Sequence, residues 1–507
     1  MRPFEVLIFI TLLFSLVTLF FLKKGPRWFL YAPGLPLMMV ICHVIFEGVR
    51  WQMIPAYAFS VILFLIALIK IFRDKTEIIK KLSIGKKILR LSAAFLTFLL
   101  LILTLIPPLA SPVFKIPQPS GPLIIGSAML YFNDTTRLDI YSQVKNRYRE
   151  LSARVWYPAL PDNHNKRLPY MQTDEARYYA IYLKAPAFFL NHFNLVRTDS
   201  YLNAKPLEGR FPVILYSPSG SMVENTTLFQ ELASQGYIVI SVGHPYWNSF
   251  YYNDQEQAIP FNSDNGHYKA MWEEENSSIV IKIKEEITNA TDIQSKKEAQ
   301  QRLNKYMPEE VADIRLWAED LSYLLNQLKD QALNQGTFFD YIDTTRVGVI
   351  GFSKGGAAVG QFCVSDVRCK AGINLSGFMF GDAVEKSFTR PFMIMESVEA
   401  WCADCNPICD LFYENSLSTA YMVRIKEASH GNFTDWSLTG GYMKLMGLVG
   451  PINGKRFLQI QNEYVLAFFN QHLKGESSDL LNRPISHYQE VIFKSQNTEL
   501  NPGMLKQ

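Results

Sequence analysis

Arg346-Val-Gly-Val-Ile-Gly-Phe-Ser-Lys-Gly-Gly356 decides how this chain folds. A short apolar run enters Gly351-Phe352-Ser353-Lys354-Gly355, and a small-residue helix start, Gly356-Ala357-Ala358, leaves it. This is a G-x-S-x-G pattern in a strand–turn–helix setting. A serine on so sharp a turn needs neighbours without bulk two positions to either side, which is what the glycines supply. The turn lifts the hydroxyl above the carboxyl edge of a parallel sheet, where open α/β sheets bind ligands. The N-terminus of the following helix favours negative charge developing there. Ser353 is therefore the candidate nucleophile.

Outward from this stretch, strand-like and helical patterns alternate, as in a largely parallel sheet covered by helices. Phe211–Ser217 reads as a buried strand, Pro218-Ser219-Gly220-Ser221 as a turn, Leu228–Ser234 as a helix and Tyr237–Val242 as a second strand. Asp313–Leu328 carries Ile314, Trp317, Leu321, Leu324, Leu325 and Leu328 on one helical stripe. Residues 265–305 are polar and helical in pattern, an insertion that serves either as a lid or as surface decoration.

A serine nucleophile needs a base, and the chain has eight histidines. The order nucleophile, acid, histidine leaves His430, His472 and His487. His430 follows the strand-like Tyr421–Ile425 and sits in the turn Ser429-His430-Gly431-Asn432, so it is the candidate base. His472 falls on an amphipathic helix, and His244 at an early strand end reads as structural. One oxyanion donor is expected from the backbone N–H of Lys354. The other is expected from Ser219 or Gly220, with Gly220 the leading candidate.

The first 115 residues differ. Val6–Leu22, Trp28–Phe46, Trp51–Ile69 and Leu91–Phe114 lack charge, and each is near the roughly 20 residues a helix needs to cross a bilayer. Backbone in lipid must bond to itself, so helices are expected. Phe20-Phe21-Leu22-Lys23-Lys24 offers no small-residue cleavage site, which makes the first run a retained anchor. Lys23, Lys24 and Arg27 follow the first run; Arg73, Lys75, Lys80, Lys81, Lys86, Lys87 and Arg90 follow the third. Positive loops stay in the cytoplasm, so both termini and everything after Phe114 are expected outside it. His43 is the one ionisable side chain within the runs, Cys and Tyr aside, which points to an anchor rather than a transport path. Pro107, Pro108, Pro112, Pro117 and Pro119 read as a stiff linker.

The chain has 507 residues, 48% hydrophobic and 19% charged, with net charge +3. No dominating basic field marks a nucleic-acid partner, and no phosphate-loop or dinucleotide fingerprint marks a nucleotide cofactor. Five of the six cysteines lie between Cys363 and Cys409. Outside the cytoplasm, pairs are expected between Cys363 and Cys369 and among Cys402, Cys405 and Cys409, with one thiol left over and no metal.

From about Asp134 to Gly475 the sequence resembles the plasma-type platelet-activating factor acetylhydrolases and their bacterial relatives. The similarity runs through Arg149-Glu-Leu-Ser-Ala-Arg-Val-Trp-Tyr-Pro-Ala159, Leu232-Ala-Ser-Gln-Gly-Tyr237, His244-Pro245-Tyr246 and the Ser353 turn. It continues through Lys370-Ala-Gly-Ile-Asn-Leu375, Ala428-Ser-His430 with Phe433-Thr-Asp435, and Phe468-Phe-Asn-Gln-His-Leu-Lys-Gly475. The resemblance implies an α/β-hydrolase fold and calcium-independent hydrolysis of short or oxidised acyl esters of phospholipids. The expected architecture is α/β: four transmembrane helices in residues 1–115, then an extracytoplasmic α/β-hydrolase domain with a mostly parallel sheet in residues 116–507.

Phe352 and Lys354 replace the commoner His and Phe beside the nucleophile. Ser376 stands where the family carries its triad aspartate. A serine cannot compensate an imidazolium as a carboxylate does. The acid is expected instead at Glu396, the end of Pro391-Phe-Met-Ile-Met395, with Glu399, Asp404 and Asp382 as rivals. A membrane-anchored serine esterase acting on lipid esters is the leading expectation. A catalytically weak binding protein on the same fold, motivated by Ser376, comes second, and a tethered peptidase third.

Overall fold

The computed structural model describes residues 1–20, 27–73, 83–161, 166–253, 255–262, 264–331, 338–399, 402, 404–482 and 488–496. Lys23, Lys24, Lys75, Lys80, Lys81, His164 and His487 lie outside the described residues. The chain forms two compact units: Met1–Phe114 with Phe188–Val196 and Thr439–Tyr442, and Lys115–Ala187 with Arg197–Leu438 and Met443–Gln507.

The first unit is built on α1 (Pro3–Phe20), α2 (Gly34–Phe46), α3 (Ile54–Arg73) and α4 (Ile84–Ala110). Four apolar stretches, Pro3–Phe20, Phe29–Phe46, Trp51–Phe72 and Lys87–Ala110, are long enough to cross a membrane. Ile8, Leu12, Met53, Leu63 and Leu101 pack inward. Ile10, Leu13, Leu65, Phe95 and Leu99 face outward, so the helices are apolar on every side. The helix bounds shift from the expected runs, most of all in the fourth. The fourth helix begins at Ile84 rather than Leu91 and takes in Lys87 and Arg90, and Arg90 donates to the Phe20 carbonyl at the end of α1 at 2.7 Å. Pro107 and Pro108 lie inside α4 rather than in a linker. Each proline lacks an N–H and crowds the carbonyl four residues back, but in the last turn the Pro107 carbonyl still accepts from the Ser111 N–H at 3.0 Å. Nor is His43 alone. Its Nδ1 meets the Tyr57 hydroxyl at 2.8 Å, and its Nε2 stands 3.4 Å from Glu5. Arg50 grips Glu5 with two bonds, of 2.7 and 2.8 Å.

The second unit carries strands β1 (Ile124–Leu138), β2 (Tyr148–Ala159), β3 (Arg167–Pro169), β4 (Arg197–Leu202), β5 (Phe211–Ser217), β6 (Ile238–Gly243), the hairpin β7 (Phe250–Tyr252) and β8 (Ala258–Pro260), β9 (Ile342–Phe352), β10 (Cys369–Leu375), β11 (Phe392–Ser397), β12 (Ala420–Ile425) and β13 (Val491–Gln496). Its main sheet runs β13-β12-β11-β10-β9-β5-β6-β2-β1-β4-β3. The stretch from β6 through β5, β9, β10 and β11 to β12 is parallel, and β2 and β13 flank it antiparallel. The central strands read as continuous apolar runs because helices cover both of their faces.

The helices of this unit include α5 (Thr173–Tyr182), α6 (Thr226–Ser234), α7 (Gly266–Glu275), α8 (Ser278–Asn289), α9 (Ile293–Tyr306), α10 (Pro308–Gln331), α11 (Lys354–Ser365) and α12 (Cys405–Glu414), and a later helix, Gly454–Phe469, packs Phe468 against Tyr421 of β12. The α10 stripe from Ile314 to Leu328 is buried as its spacing predicts. The polar stretch 265–305 folds as α7, α8 and α9, and Val280, Ile283, Ile287 and Leu303 join the main core. Gln300 donates to the Met379 carbonyl at 2.9 Å, which ties α9 down. The disulfides are Cys363–Cys369 and Cys402–Cys405; Cys409 is a buried thiol, and Cys42 lies in α2.

Candidate active site

Strand β9 ends at Phe352 and α11 begins at Lys354, so Ser353 alone makes the turn, with φ +55° and ψ −123°. A β-carbon-bearing residue pays to sit there. The flanking glycines make it feasible. A Cβ on Gly351 would collide with the Gly355 carbonyl, and one on Gly355 with the Ser217 carbonyl. The Ser353 N–H donates to the Leu375 carbonyl at 3.0 Å, which ties the turn to the end of β10.

His430 arrives from β12. Its turn is pinned by Asn432, whose side-chain oxygen accepts the N–H groups of Ser429 at 2.8 Å and Gly450 at 2.7 Å. His430 Nε2 lies 3.1 Å from Ser353 Oγ. Phe352 stacks on the imidazole at 4.7 Å between centroids. This apolar cover explains why burial lowers the histidine's pKa to about 4, against the opposing effect of a backbone hydrogen bond to Ser376.

The far ring nitrogen meets an unexpected partner. His430 Nδ1 lies 2.9 Å from Ser376 Oγ. Ser376 holds φ +52° just beyond β10, and its N–H donates to the Met395 carbonyl at 2.7 Å. Glu396, expected as the acid, bonds elsewhere: Arg424 Nε approaches it at 2.6 Å, and Arg424 also pairs with Asp410 at 3.1 Å. The arginine is its neighbour across the β11–β12 pair, so strand register captures the carboxylate. Burial nevertheless pushes Glu396 up to about 7. Of the rivals, Asp382 pairs with Arg315 at 2.6 Å, and Asp404 stands at the start of α12.

The expected oxyanion turn also differs. The N–H groups of Ser219 and Gly220, both at 2.9 Å, and of Ser221, at 3.1 Å, donate to the carboxylate of Glu224. The Gly220 donor is therefore engaged by an internal anion. A carboxylate has about four lone-pair sites, and the Tyr216 hydroxyl at 3.0 Å fills the fourth. Lys354 lies in the first turn of α11, where helix N–H groups lack intrahelical partners. Its ammonium is buried 2.5 Å from Asp313 and 3.1 Å from Glu310, over the Trp247 ring at 3.8 Å. Burial works against the ammonium, but the two carboxylates outweigh it and raise its pKa.

Ser353 and His430 open on a cavity of about 280 Å³ walled by Tyr179, Tyr182, Leu183, Trp436 and Leu448, with Ser219, Gly220 and Glu224 at one side. None of its lining residues comes from 265–305. Sequence reasoning missed Glu224, the α5 tyrosines and Trp436. The one available signal was the Gln172-Thr-Asp-Glu175 capping box, which marks the start of α5. His472 sits apart, 3.3 Å from the Tyr421 hydroxyl. His244 is fully buried between Ser217 Oγ and Asp320, each at 2.9 Å.

An elbow serine facing a histidine above a mostly parallel, helix-covered sheet defines the α/β-hydrolase class. A ferulic acid esterase from Streptomyces cinnamoneus shares the fold, with a TM-score of 0.58 and 23% identity over 75% of this chain and 99% of that one. The model of the family described as platelet-activating factor acetylhydrolase, isoform II matches residues 109–490, and the chain belongs to that family. It is similar to the probable 1-alkyl-2-acetylglycerophosphocholine esterase of Arthroderma benhamiae, with 24% identity over 75% of this chain and 94% of that protein. It is also similar to the platelet-activating factor acetylhydrolase of Canis lupus familiaris, with 24% identity over 71% of this chain and 77% of that protein.

Proposed function

We propose that the protein is a membrane-anchored serine carboxylester hydrolase acting on short or oxidised acyl esters of lipids. Residues 1–115 form the anchor, and residues 116–507 the extracytoplasmic catalytic domain. The carrying observation is the 3.1 Å approach of His430 Nε2 to a serine held on a strained elbow. Ser353 Oγ attacks the ester carbonyl while His430 Nε2 takes its proton. The tetrahedral oxyanion forms beside the first turn of α11, where the Lys354 N–H and the helix dipole stabilise it. Collapse expels the alcohol, which receives the proton from His430, and water then hydrolyses the acyl-enzyme by the same route. Ser376 fixes the ring through Nδ1 but brings no charge to the imidazolium.

The apolar, aromatic cavity of about 280 Å³ suits a short acyl chain. The names of the relatives support glycerophospholipid-type esters as the substrate class. The apolar helices beside this domain in sequence support delivery from a bilayer.

The test is labelling of membranes with a fluorophosphonate probe, together with hydrolysis of short-chain esters, for wild type and Ser353→Ala. Serine-dependent labelling and turnover are expected; their absence overturns the proposal. Ser376 in place of an acid favours a second reading, a lipid-binding protein of weak activity. That reading gains if lipid binding survives Ser353→Ala while wild type turns over no ester.

A further inference from the structure

Glu224 is 2% exposed and Asp435 fully buried, and neither takes a part in the proton transfers above. Glu224 follows the 219–221 turn that walls one side of the cavity. Its carboxylate gathers the three N–H groups of that turn, and its main-chain carbonyl accepts the Asp435 N–H at 2.8 Å. Asp435 lies five residues beyond His430, between Thr434 and Trp436, which line the cavity. Its carboxylate in turn accepts the Thr227 N–H at 3.2 and 3.3 Å, at the start of α6. The two residues thus form a clasp: the Glu224 main-chain carbonyl holds the Asp435 N–H, and the Asp435 carboxylate holds the Thr227 N–H.

We propose that Glu224 is a positioning residue of the esterase site: in its ionised form its carboxylate holds the 219–221 turn beside Ser353, and the main-chain bond between Glu224 and Asp435 ties that turn to the His430 segment. The proposal rests on the esterase reading above. All four acceptor sites of the carboxylate are filled by donors, so an added proton either displaces one of the three turn N–H groups, which loosens the wall, or reverses the bond to the Tyr216 hydroxyl, which ends the charge that holds those N–H groups. Tyr216 on β5, Tyr170, Tyr182 on α5 and Asp435 face the carboxylate, and His430 shares its cavity. None of these is a permanent cation that would keep Glu224 ionised. Burial pushes Glu224 up to about 7, and the turn N–H groups only partly offset this. Burial likewise pushes Asp435 up to about 7, with the charge of Glu224 adding to the rise. The clasp therefore loosens within the physiological range, well above the pH at which His430 gains its proton.

The experiment uses the full chain in detergent or membranes. kcat and KM for a short-chain p-nitrophenyl ester are measured from pH 4 to 9 for wild type, Glu224→Gln, Glu224→Asp and Ser353→Ala. In parallel, amide hydrogen exchange of peptides covering 219–221 and 430–435 is measured at pH 6 and 8 and corrected for intrinsic rate. Wild type should gain rate as pH rises through about 7, with more protection of both peptides at pH 8 than at pH 6. Glu224→Gln should lose 10-fold or more in kcat with KM within about 3-fold, and should keep only the smaller part of the step near pH 7 that Asp435 contributes. Glu224→Asp keeps the charge and should keep the step at reduced height.

A Glu224→Gln enzyme with wild-type kcat and an intact step overturns the proposal. So does a raised kcat, which would make the carboxylate a competitor of the oxyanion. If Glu224→Gln does not fold, a wild-type profile and exchange pattern flat through pH 7 overturn it equally. Loss of turnover in Ser353→Ala reports on the esterase reading separately. The exchange measurement decides the clasp even for a chain that turns over no ester.

Discussion

Two histidines of the hydrolase unit each stand between two side-chain oxygens. His244 lies 2.9 Å from Ser217 and 2.9 Å from Asp320, so by composition it completes a Ser–His–Asp set. It is fully buried, and its ring stacks on Trp317 at 4.0 Å. His430 lies between Ser353 and Ser376, lacks a carboxylate on that pair of bonds, and opens on a cavity. One constellation has the acid and no access, and the other has access and a second serine at the acid's place. What separates them is backbone. Ser217 ends a regular strand, whereas Ser353 is thrown out of the sheet at φ +55°. A catalytic set is recognised by an exposed, strained nucleophile and a reachable carbonyl site, not by a tally of residue types.

The comparison breaks most sharply at the two serines. Ser353→Ala should remove about 10⁵-fold or more of any esterase rate while leaving thermal stability near wild type. Ser217→Ala should do the reverse, costing about 1 kcal/mol for a lost buried hydrogen bond and leaving probe labelling within about 3-fold. Labelling rates and thermal melts of both variants check this, and equal loss of labelling would erase the distinction.

Asp320 gives the next largest effect. Arg149 reaches it with two bonds of 2.7 Å, inside the core. Asp320→Asn leaves a buried guanidinium short of its counter-charge, a change that costs about 3–5 kcal/mol. Burial opposes ionisation of Asp320, yet Arg149 and His244 hold its pKa well below the usual carboxylate range. A depressed native pKa gives stability that is present at neutral pH and lost as pH falls through the ordinary carboxylate range toward that value. Wild type should therefore lose stability on acidification, and Asp320→Asn should lose less of it. A melting series at pH 7, 5 and 4 reads both slopes.

Much of this was legible in the sequence. The elbow, the parallel strands around it and the late histidine all rest on local signals: glycines that only a tight turn needs, apolar runs of strand length, a turn after a strand. What stayed hidden depends on register and on long-range packing. Glu396 occupies a strand end that suits an acid, but Arg424 on the next strand takes it, and only β11–β12 register reveals that. Glu224 carries no local signal, and its role shows only in the backbone donors that its carboxylate accepts. Ser376 was legible as a departure from the family, but its contact with Nδ1 depends on a left-handed residue just past β10 that no short motif announces.

That residue gives the finest test. The positive φ of Ser376 suits aspartate, which enters the left-handed region more readily than most residues. Ser376→Asp should therefore keep the backbone and put a carboxylate against Nδ1. An adjacent negative charge favours the imidazolium, so the His430 pKa should rise from about 4 toward its ordinary 6.5. Above pH 7 the ring is neutral in both proteins and the charge helps only the transition state, so kcat/KM should rise about 10-fold. Near pH 5 the wild-type ring is still largely neutral while the variant's is largely protonated, so the advantage should shrink or reverse. The lower of the two acid limbs of kcat/KM, the one set by His430 and lying below the Glu224 step, must shift to higher pH for this to hold. Ser376→Ala, which removes Oγ and adds no charge, should lower the rate several-fold without moving the limb upward. Full wild-type activity in Ser376→Ala, with no shift in Ser376→Asp, would mean that His430 is held by its backbone turn alone.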